Sequence, residues 1–461
     1  MKYRLALAAF LAFGIGRVRA GENWPQAAGP NGSWTAAGPN VPLRWSVSND
    51  QNIVWRTPLP EVGQGGIAVW GDRVFLTTMK PLAADAKKKA GRDVVGYCLD
   101  GVTGKILWSV DLPGAVDCNY AYGFSDPTTP SPITDGLHVW FYNSAGAVGC
   151  WDFSGRQVWL RQWHPTEHRP FNKQFEPILE GDTVLNMEPR DEGDPKREAQ
   201  DPWNYLRGLD KLTGKTLWVA DDALTHYNTP MRGTLPDGTP AVLQGRGAYH
   251  GSPEAPTGLS MTSLAGGHAG QTLWRFEGSG RALYTMQWDR QYAYWLTEDG
   301  GEHQVLDVQT GKLLRTQSLS EKVDWRRFDP VKGGYVLQAD VNLKQLAAPL
   351  NVFPAWFTNI VVTDTITSCA SPTPRRRPVR RTAWAGSTSR PARLNIWNSL
   401  CGFSQRPAPL PRTSGGCRNR HRRSIRAASM WPATPAPGAM DGTGAFCRIR
   451  PRSTERSSSP R

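Results

Sequence analysis

One five-residue stretch has the types and spacing that zinc chemistry uses. His164 to His168 reads HPTEH, which matches the H-x-x-E-H pattern of zinc-dependent hydrolases. That pattern needs a helix, because a helix places both imidazoles on one face. Pro165 and Pro170 disfavour a helix here. We therefore predict a loop between strands at this point, and no metal site.

A second stretch is acidic. Asp191, Glu192 and Asp194 cluster in a polar insertion that reaches Asp201. Calcium loops carry acidic residues at regular alternate positions, and this cluster does not reproduce that pattern convincingly. We interpret it as a solvated loop. The chain is thus predicted to hold no catalytic residues and no metal ligands.

Three cysteines precede residue 363, namely Cys98, Cys118 and Cys150. In an exported chain three thiols allow one disulfide and one remaining thiol. The sequence leaves the pairing open.

The elements that position any site are built from one recurring unit. Leu99 to Trp108 reads LDGVTGKILW, a strand end, a tight turn and a new strand. Asp and Thr side chains can bond the free amides of such a turn, and its Gly can adopt the positive φ. The unit returns four times at intervals of about 40 to 60 residues. The further copies are WDFSGRQVW (Trp151 to Trp159), LDKLTGKTLW (Leu209 to Trp218), LAGGHAGQTLW (Leu264 to Trp274) and LDVQTGKLLR (Leu306 to Arg315).

We assign a structural role to the repeat residues, with each Trp packed between neighbouring units. In the fifth copy Arg315 stands where the others have Trp. The assigned residues are Asp100, Thr103, Gly104, Trp108, Gly155, Trp159, Asp210, Thr213, Gly214, Trp218, Trp274, Asp307, Thr310 and Gly311.

Further hairpin signals lie between the copies, at Trp70 to Thr77, Thr134 to Tyr142 and Glu180 to Asn186. About four short strands then fall in each period, which is the content of a propeller blade. We predict an all-β fold, a β-propeller of four-stranded blades. The interval from Arg315 to a recovered motif near Leu394 spans about two periods, so we expect roughly eight blades in the intact form.

The two ends of the chain differ from its middle. Residues 1–20 combine a basic start, a short apolar run and small residues before Gly21, which predicts a cleaved signal peptide. No other stretch is long and apolar enough for a transmembrane helix. Residues 363–461 contain 19 Arg, no Lys and 3 acidic residues, leaving 35 basic and 37 acidic residues in the rest of the chain. Residues 1–362, which include the propeller at residues 21–362, are thus nearly neutral with a net charge of −2, which argues against nucleic-acid binding.

The composition of residues 363–461 is that of a GC-rich gene translated out of frame. Regrouping the possible codons by one nucleotide lets Ser387 to Asn398 spell VNVETGKVEYLE, which contains the repeat turn. Asp364 to Thr367 permits GYHY after an Asp, and Met440 to Phe446 permits DGWYWGF, in the same frame. We therefore predict a frame shift near Val362 or Thr363. The tail beyond it is expected to be disordered, leaving the propeller incomplete.

The turn copies ending at Trp108, Trp159, Trp218 and Trp274 resemble those of bacterial PQQ-like repeat β-propellers. Ile53 to Pro60 (IVWRTPLP) matches Ile106 to Pro113 as a further strand. Trp24 to Ser33 (WPQAAGPNGS) is similar to the opening of secreted members found in planctomycete-type bacteria. This family includes BamB-type envelope lipoproteins and quinoprotein alcohol dehydrogenases.

The resemblance implies a periplasmic or secreted, monomeric propeller that acts as a protein-interaction scaffold through its face loops. The alternative it implies is a PQQ-dependent dehydrogenase of alcohols or sugars, or a non-catalytic quinone-binding relative. Those dehydrogenases carry an adjacent Cys pair and a Ca²⁺ site. Cys98, Cys118 and Cys150 are not adjacent, so we predict no cofactor, with PQQ and Ca²⁺ belonging to the alternative.

Overall fold

The computed structural model describes residues 23–30, 32, 44–84, 91–117, 126–165, 175–194, 204–224, 230–246, 256–278, 287–296, 302–318, 321–329, 331–346, 359–362, 365–370, 382–388 and 395–399. Helical structure in this part of the chain is limited to two 3-10 turns, Gly266–His268 and Leu343–Gln345. No helix within these ranges is long and apolar enough to cross a membrane. The predicted all-β class is confirmed.

Five four-stranded antiparallel sheets follow one another along the chain. Blade 1 has strands β1 (Ala68–Trp70), β2 (Arg73–Met79), β3 (Val94–Asp100) and β4 (Ile106–Leu112). Blade 2 has β5 (Ile133–Thr134), β6 (His138–Asn143), β7 (Ala147–Asp152) and β8 (Gln157–Gln162). Blade 3 has β9 (Ile178–Glu180), β10 (Thr183–Glu188), β11 (Tyr205–Asp210) and β12 (Thr216–Leu224).

The next two blades have the same order. Blade 4 has β13 (Met231–Thr234), β14 (Pro240–Arg246), β15 (Gly258–Ser263) and β16 (Thr272–Phe276). Blade 5 has β17 (Gln287–Trp288), β18 (Tyr292–Leu296), β19 (Glu302–Asp307) and β20 (Leu313–Ser318). Within every blade the strands pair in chain order. The predicted four-stranded blades are confirmed.

The first strands of successive blades lie beside one another. β1 contacts β5, and β5 contacts β9. Trp288 of β17 donates its indole N–H to the Met231 carbonyl of β13, at 2.8 Å. The first strands therefore surround a central channel, with the fourth strands outermost, which is the arrangement of a propeller.

Apolar residues fill the spaces between the blades. Phe75 and Cys98 of blade 1 pack against Phe141 of blade 2 in one buried cluster. A second cluster joins blades 2 and 3, and a third joins blades 4 and 5. Blades 2, 3 and 4 therefore bury both faces against neighbouring blades, as expected for sheets too small to form a core alone.

The remaining strands form one six-stranded sheet. It contains β21 (Val323–Asp329), β22 (Gly334–Val341), β23 (Asn359–Val362), β24 (Thr365–Ala370), β25 (Thr382–Thr388) and β26 (Asn395–Ser399). β23 to β26 pair in chain order like a blade, while the β21–β22 hairpin joins β26 through a parallel pairing.

The blade count of eight is not confirmed. Where the spacing predicted a further blade, between β20 and β23, the described residues contain only the β21–β22 hairpin. Three strands, β24 to β26, lie within the segment 363–461 that we predicted to be out of frame and disordered. Strand formation does not report the reading frame, so the frame shift stays a prediction. The predicted signal peptide, residues 1–20, lies outside the described residues.

Residues 53–59 have the burial pattern of an outermost strand. Partly buried residues alternate with exposed ones from Ile53 to Leu59, and β4 shows the same alternation from Ile106. Val54 is 86% exposed, whereas its counterpart Leu107 is 40% exposed. Residues 53–59 belong to no sheet in the described part of the chain. The segment thus occupies the outer-strand position of a blade that would precede blade 1.

Candidate functional site

The repeat residues form tight turns at the ends of the blades. In blade 1 the Asp100 carboxylate accepts hydrogen bonds from the Thr103 hydroxyl, at 2.8 Å, and from its N–H, at 2.7 Å. These bonds hold the pKa of Asp100 below its ordinary value. Gly104 follows with a φ of 74°. Equivalent bonds occur at Asp210 and Thr213 in blade 3 and at Asp307 and Thr310 in blade 5.

Each repeat Trp packs on the turn of the next blade. The Trp159 ring of blade 2 lies on Gly214 of blade 3, and its N–H donates to the Lys211 carbonyl at 2.8 Å. Trp108 makes the same contact with Gly155, and Trp274 with Gly311. Trp218 lies on Gly270, and Trp55 lies on Gly104. The structure places these residues between blades, where they join one blade to the next.

The two faces of the propeller carry different connections. The turns between first and second strands, and between third and fourth strands, share one face, which we call the turn face. The connections from second to third strand and from one blade to the next share the opposite face, the loop face. Its connections include residues 80–93, 113–132, 163–177 and 189–204. Because long loops on a rigid scaffold are where proteins place binding residues, the loop face is the candidate functional site.

Charged residues are buried where the loop face crosses the boundary of blades 2 and 3. Glu188 ends β10, and its side chain and that of Arg207 are each 0% exposed. Arg161 of β8 donates to both Glu188 carboxylate oxygens, at 2.9 and 2.8 Å. Arg207 lies 3.4 Å from the same carboxylate and bonds Asp191 at 3.0 Å. We call these four residues the charged seam.

The charged seam is electrostatically balanced. Two guanidinium groups face two carboxylates, which is the arrangement that makes buried charges tolerable. Although burial disfavours its charge, the Glu188 carboxylate raises the pKa of Arg161. Nearby, burial raises the pKa of the Tyr142 hydroxyl well above its ordinary value, and Glu188 adds to this shift. The charged seam therefore has a structural role, because its carboxylates and guanidinium groups pair with one another.

A similar pairing lies between blades 3 and 4. Asp222 of β12 is bonded by Arg246 of β14 at 3.0 Å and by Arg275 of β16 at 2.9 Å. The side chains of Asp222 and Arg246 are 9% and 5% exposed. Ion pairs thus join consecutive blades at the loop face, as indole contacts join them at the turn face.

The linkers that lead into blades 1, 2 and 3 are bonded to one another at the rim of the channel. The Gly66 N–H donates to the Ser131 hydroxyl at 2.9 Å, and the Ser131 N–H donates to the Glu176 carboxylate at 2.8 Å. Beside them, the Thr128 N–H donates to the Asp126 carboxylate at 2.8 Å. We call these linkers the channel rim.

Glu176 is the group of the channel rim that can exchange a proton near neutral pH. Burial raises its pKa to about 7, while the bonds from Ser131 oppose the shift. Burial also raises the pKa of Asp126. A carboxyl that titrates near neutrality can act as a proton acceptor or donor toward a bound molecule.

The structure describes only part of the HPTEH stretch, residues 164–168, which resembles a zinc-binding pattern. His164 lies in the described chain, but Glu167 and His168 lie outside it. Among the described residues, no group of three or more His, Cys, Asp or Glu side chains is placed to hold a metal.

The acidic stretch forms ion pairs with arginines of the blades. Asp191 belongs to the charged seam, and Asp194 pairs with Arg190 at 3.3 Å. The Asp191 side chain is still 56% exposed, and Glu192 is exposed, so the interpretation as a solvated loop stays a prediction. Asp201 lies outside the described residues.

Two of the three cysteines are described. Cys98 and Cys150 are buried and free, so they are not paired with each other. Burial raises the pKa of Cys98 to about 11 and that of Cys150 to about 12. Both thiols stay protonated and unreactive at neutral pH. Cys118 lies outside the described residues.

Sequence reasoning did not identify Glu188, Arg207 or Glu176. A signal existed for Arg207, which interrupts the strand YLRGLD of β11, where a buried strand would be apolar. No comparable signal marks Glu176, because its burial depends on linkers from other blades.

Comparison with known proteins identifies the repeat. Residues 46–252 match the family model described as outer membrane protein assembly factor BamB. A search of curated proteins gave no match. Among solved structures, BamB from Moraxella catarrhalis is similar over 68% of this chain and 72% of its own, at 14% identity and a TM-score of 0.38. The quinohemoprotein alcohol dehydrogenase ADHIIG from Pseudomonas putida HK5 is similar over 74% of this chain and 55% of its own, at 13% identity and a TM-score of 0.39.

Proposed function

We propose that this protein is an exported interaction scaffold of the cell envelope, since residues 46–252 match the family model described as outer membrane protein assembly factor BamB. It is periplasmic or secreted, monomeric, and binds other envelope or secreted proteins through the loop face. The observation that carries the proposal is that the long connections lie on one face of the propeller. The blades beneath them have buried charges that are paired with one another. Such a face offers long loops on a rigid support.

The buried ion pairs support this role. Arg161 of blade 2 and Glu188 of blade 3 join the two blades at the start of the connection 189–204. The blades therefore hold the base of this loop in a fixed position. A partner that contacts this fixed base loses less free energy to ordering.

The alternative is a PQQ-dependent dehydrogenase, and Glu176 is the observation in its favour. A carboxyl with a pKa of about 7 suits a general base. The described channel rim is, however, a poor match for the quinone. PQQ carries carboxylate groups, and the titratable side chains nearest the rim bonds are the carboxyls of Asp126 and Glu176.

Site-specific photo-crosslinking tests the scaffold role. A photoreactive residue at exposed Glu192 samples the loop face, and one at Leu137, which is 70% exposed, samples the turn face as a matched control. In cells that produce the protein, we expect a discrete protein adduct from position 192 and none from 137. Adducts of equal yield from both positions would contradict the proposal.

A cofactor assay tests the alternative independently. Purified protein is incubated with PQQ and Ca²⁺, and alcohols or sugars are supplied with an artificial electron acceptor. We expect no reduction of the acceptor above the level of a sample lacking protein. Reduction that depends on both PQQ and substrate, and that is lost in Glu176→Gln, would establish the dehydrogenase instead.

A further inference from the structure

The residues that precede the first blade lie along the inner strands. Trp24 forms an antiparallel bridge with Val69 of β1. The Trp24 N–H donates to the Val69 carbonyl at 2.9 Å, and the Val69 N–H donates to the Trp24 carbonyl at 2.7 Å. At the adjacent turn the Gly71 N–H donates to the Asn23 side-chain oxygen at 2.9 Å. The segment therefore lies at the end of the channel that belongs to the turn face.

The same segment reaches equivalent positions in three blades. Val69, Thr134 and Leu179 are equivalent, because each pairs with a valine five residues later in its hairpin. The Val69 N–H donates to the Trp24 carbonyl at 2.7 Å, and the Thr134 N–H donates to the Pro25 carbonyl at 2.8 Å. The Leu179 N–H donates to the Gln26 side-chain oxygen at 3.1 Å.

These three N–H groups point toward the channel. Each lies on a first strand, whose inner edge has no neighbouring strand within its own sheet. Such N–H groups need an acceptor, because an unpaired buried amide is costly. Three successive residues of one segment supply acceptors to three successive blades.

The segment is buried against the inner strands. Gln26, Ala27 and Ala28 are 4%, 2% and 6% exposed. Gly29, at a φ of 75°, turns the chain back over the Trp24 ring. Beyond this turn, Gly32 packs on Arg232 of β13, which forms an ion pair with Glu180 of β9.

We propose that residues 23–30 are a built-in plug that seals the turn-face end of the central channel and holds the first strands of blades 1, 2 and 3 together. Molecules then reach the channel from the loop face, past the channel rim. This inference is independent of the scaffold role, since it concerns the channel and not the partner.

Hydrogen exchange tests the plug with a matched pair of glycine variants. In Gly29→Ala, the new Cβ would lie 2.8 Å from the Trp24 ring. In Gly181→Ala, the φ of 56° carries a similar backbone penalty, but nothing lies within 4 Å of the new Cβ. A third variant, Gln26→Ala, removes the acceptor of the Leu179 N–H without changing a glycine.

In Gly29→Ala we expect the amides of Val69, Thr134 and Leu179 to exchange together about tenfold faster or more, as loss of a hydrogen bond allows. The amides of Gly66 and Ser131 at the opposite end should be unchanged, as should all five in Gly181→Ala. In Gln26→Ala the Leu179 amide should respond most. Unchanged exchange of the three amides in both plug variants, or acceleration of all five, would overturn the proposal.

Discussion

Gly214 offers a direct measure of how the blades are joined. It adopts a φ of 68° in the repeat turn of blade 3, and the Trp159 ring of blade 2 lies directly on it. A Cβ added to Gly214 would lie 2.6 Å from Trp159 Cε3, closer than packed carbon atoms approach. The substitution Gly214→Ala therefore forces the indole away from the turn or the turn away from the blade.

The expected cost has two parts. An Ala in the left-handed region costs about 1 to 2 kcal/mol through the backbone alone. Overpacking against the indole adds about 1 to 3 kcal/mol. Displacing the ring also strains its N–H bond to the Lys211 carbonyl. The free energy of unfolding should thus fall by about 2 to 5 kcal/mol.

Gly238→Ala is the matched control. Gly238 has a φ of 91° in an exposed turn, and nothing lies within 4 Å of its added Cβ. It carries the backbone cost without the contact. Urea unfolding followed by circular dichroism should give a midpoint for Gly238→Ala well above that of Gly214→Ala, with similar slopes.

A double-mutant cycle isolates the contact itself. Trp159→Ala alone should cost about 3 to 5 kcal/mol. In that background Gly214→Ala should cost only its backbone part, because the ring is gone. Equal costs for Gly214→Ala in the two backgrounds, or equal costs for Gly214→Ala and Gly238→Ala, would refute the view that the indole contact joins the blades.

Three further predictions follow from the charged seam, the channel rim and the chain end. Glu188→Gln should lower the free energy of unfolding by about 3 to 5 kcal/mol, because Arg161 and Arg207 both lose the buried carboxylate that lies between them. Exposed Glu192→Gln should change the free energy of unfolding by less than about 0.5 kcal/mol in the same denaturant titration. The pKa of Glu176 is raised from 4.5 to about 7, so its contribution to stability is complete below pH 4.5 and is lost as the pH rises through 7. Thermal melts between these pH values should show the native chain losing stability relative to Glu176→Gln. Parallel curves of melting temperature against pH for the two proteins would contradict the assignment. A chain translated in the restored frame should supply inner strands to residues 53–59 and bury a Trp-bearing face, which is worth several kcal/mol at about 25 cal/mol per Å². It should therefore melt cooperatively as a monomer, whereas the chain as given should aggregate. A soluble, sharply melting protein from the present sequence on size exclusion and thermal scans would show this to be wrong, as would an intact frame on sequencing the gene.

The blade can be read directly from the amino-acid sequence. The turn of Asp100, Thr103 and Gly104 depends on bonds between residues at most four apart, so its copies can be read from the chain. Alternation of apolar residues and the two-residue Gly turns likewise set the strands and their pairing. For the same reason the family resemblance could be stated from the repeat alone.

The candidate site depends on contacts between residues that are far apart in the chain. Glu188 and Arg161 lie 27 residues apart in the chain, and Glu176 is bonded by Ser131, 45 residues away. Their burial, and hence the shifted pKa of Glu176, depends on how neighbouring blades pack. The plug depends on Gln26 reaching Leu179 across 153 residues. Local sequence patterns do not encode such contacts, because each joins residues of separate repeats that only the packing of the blades brings together.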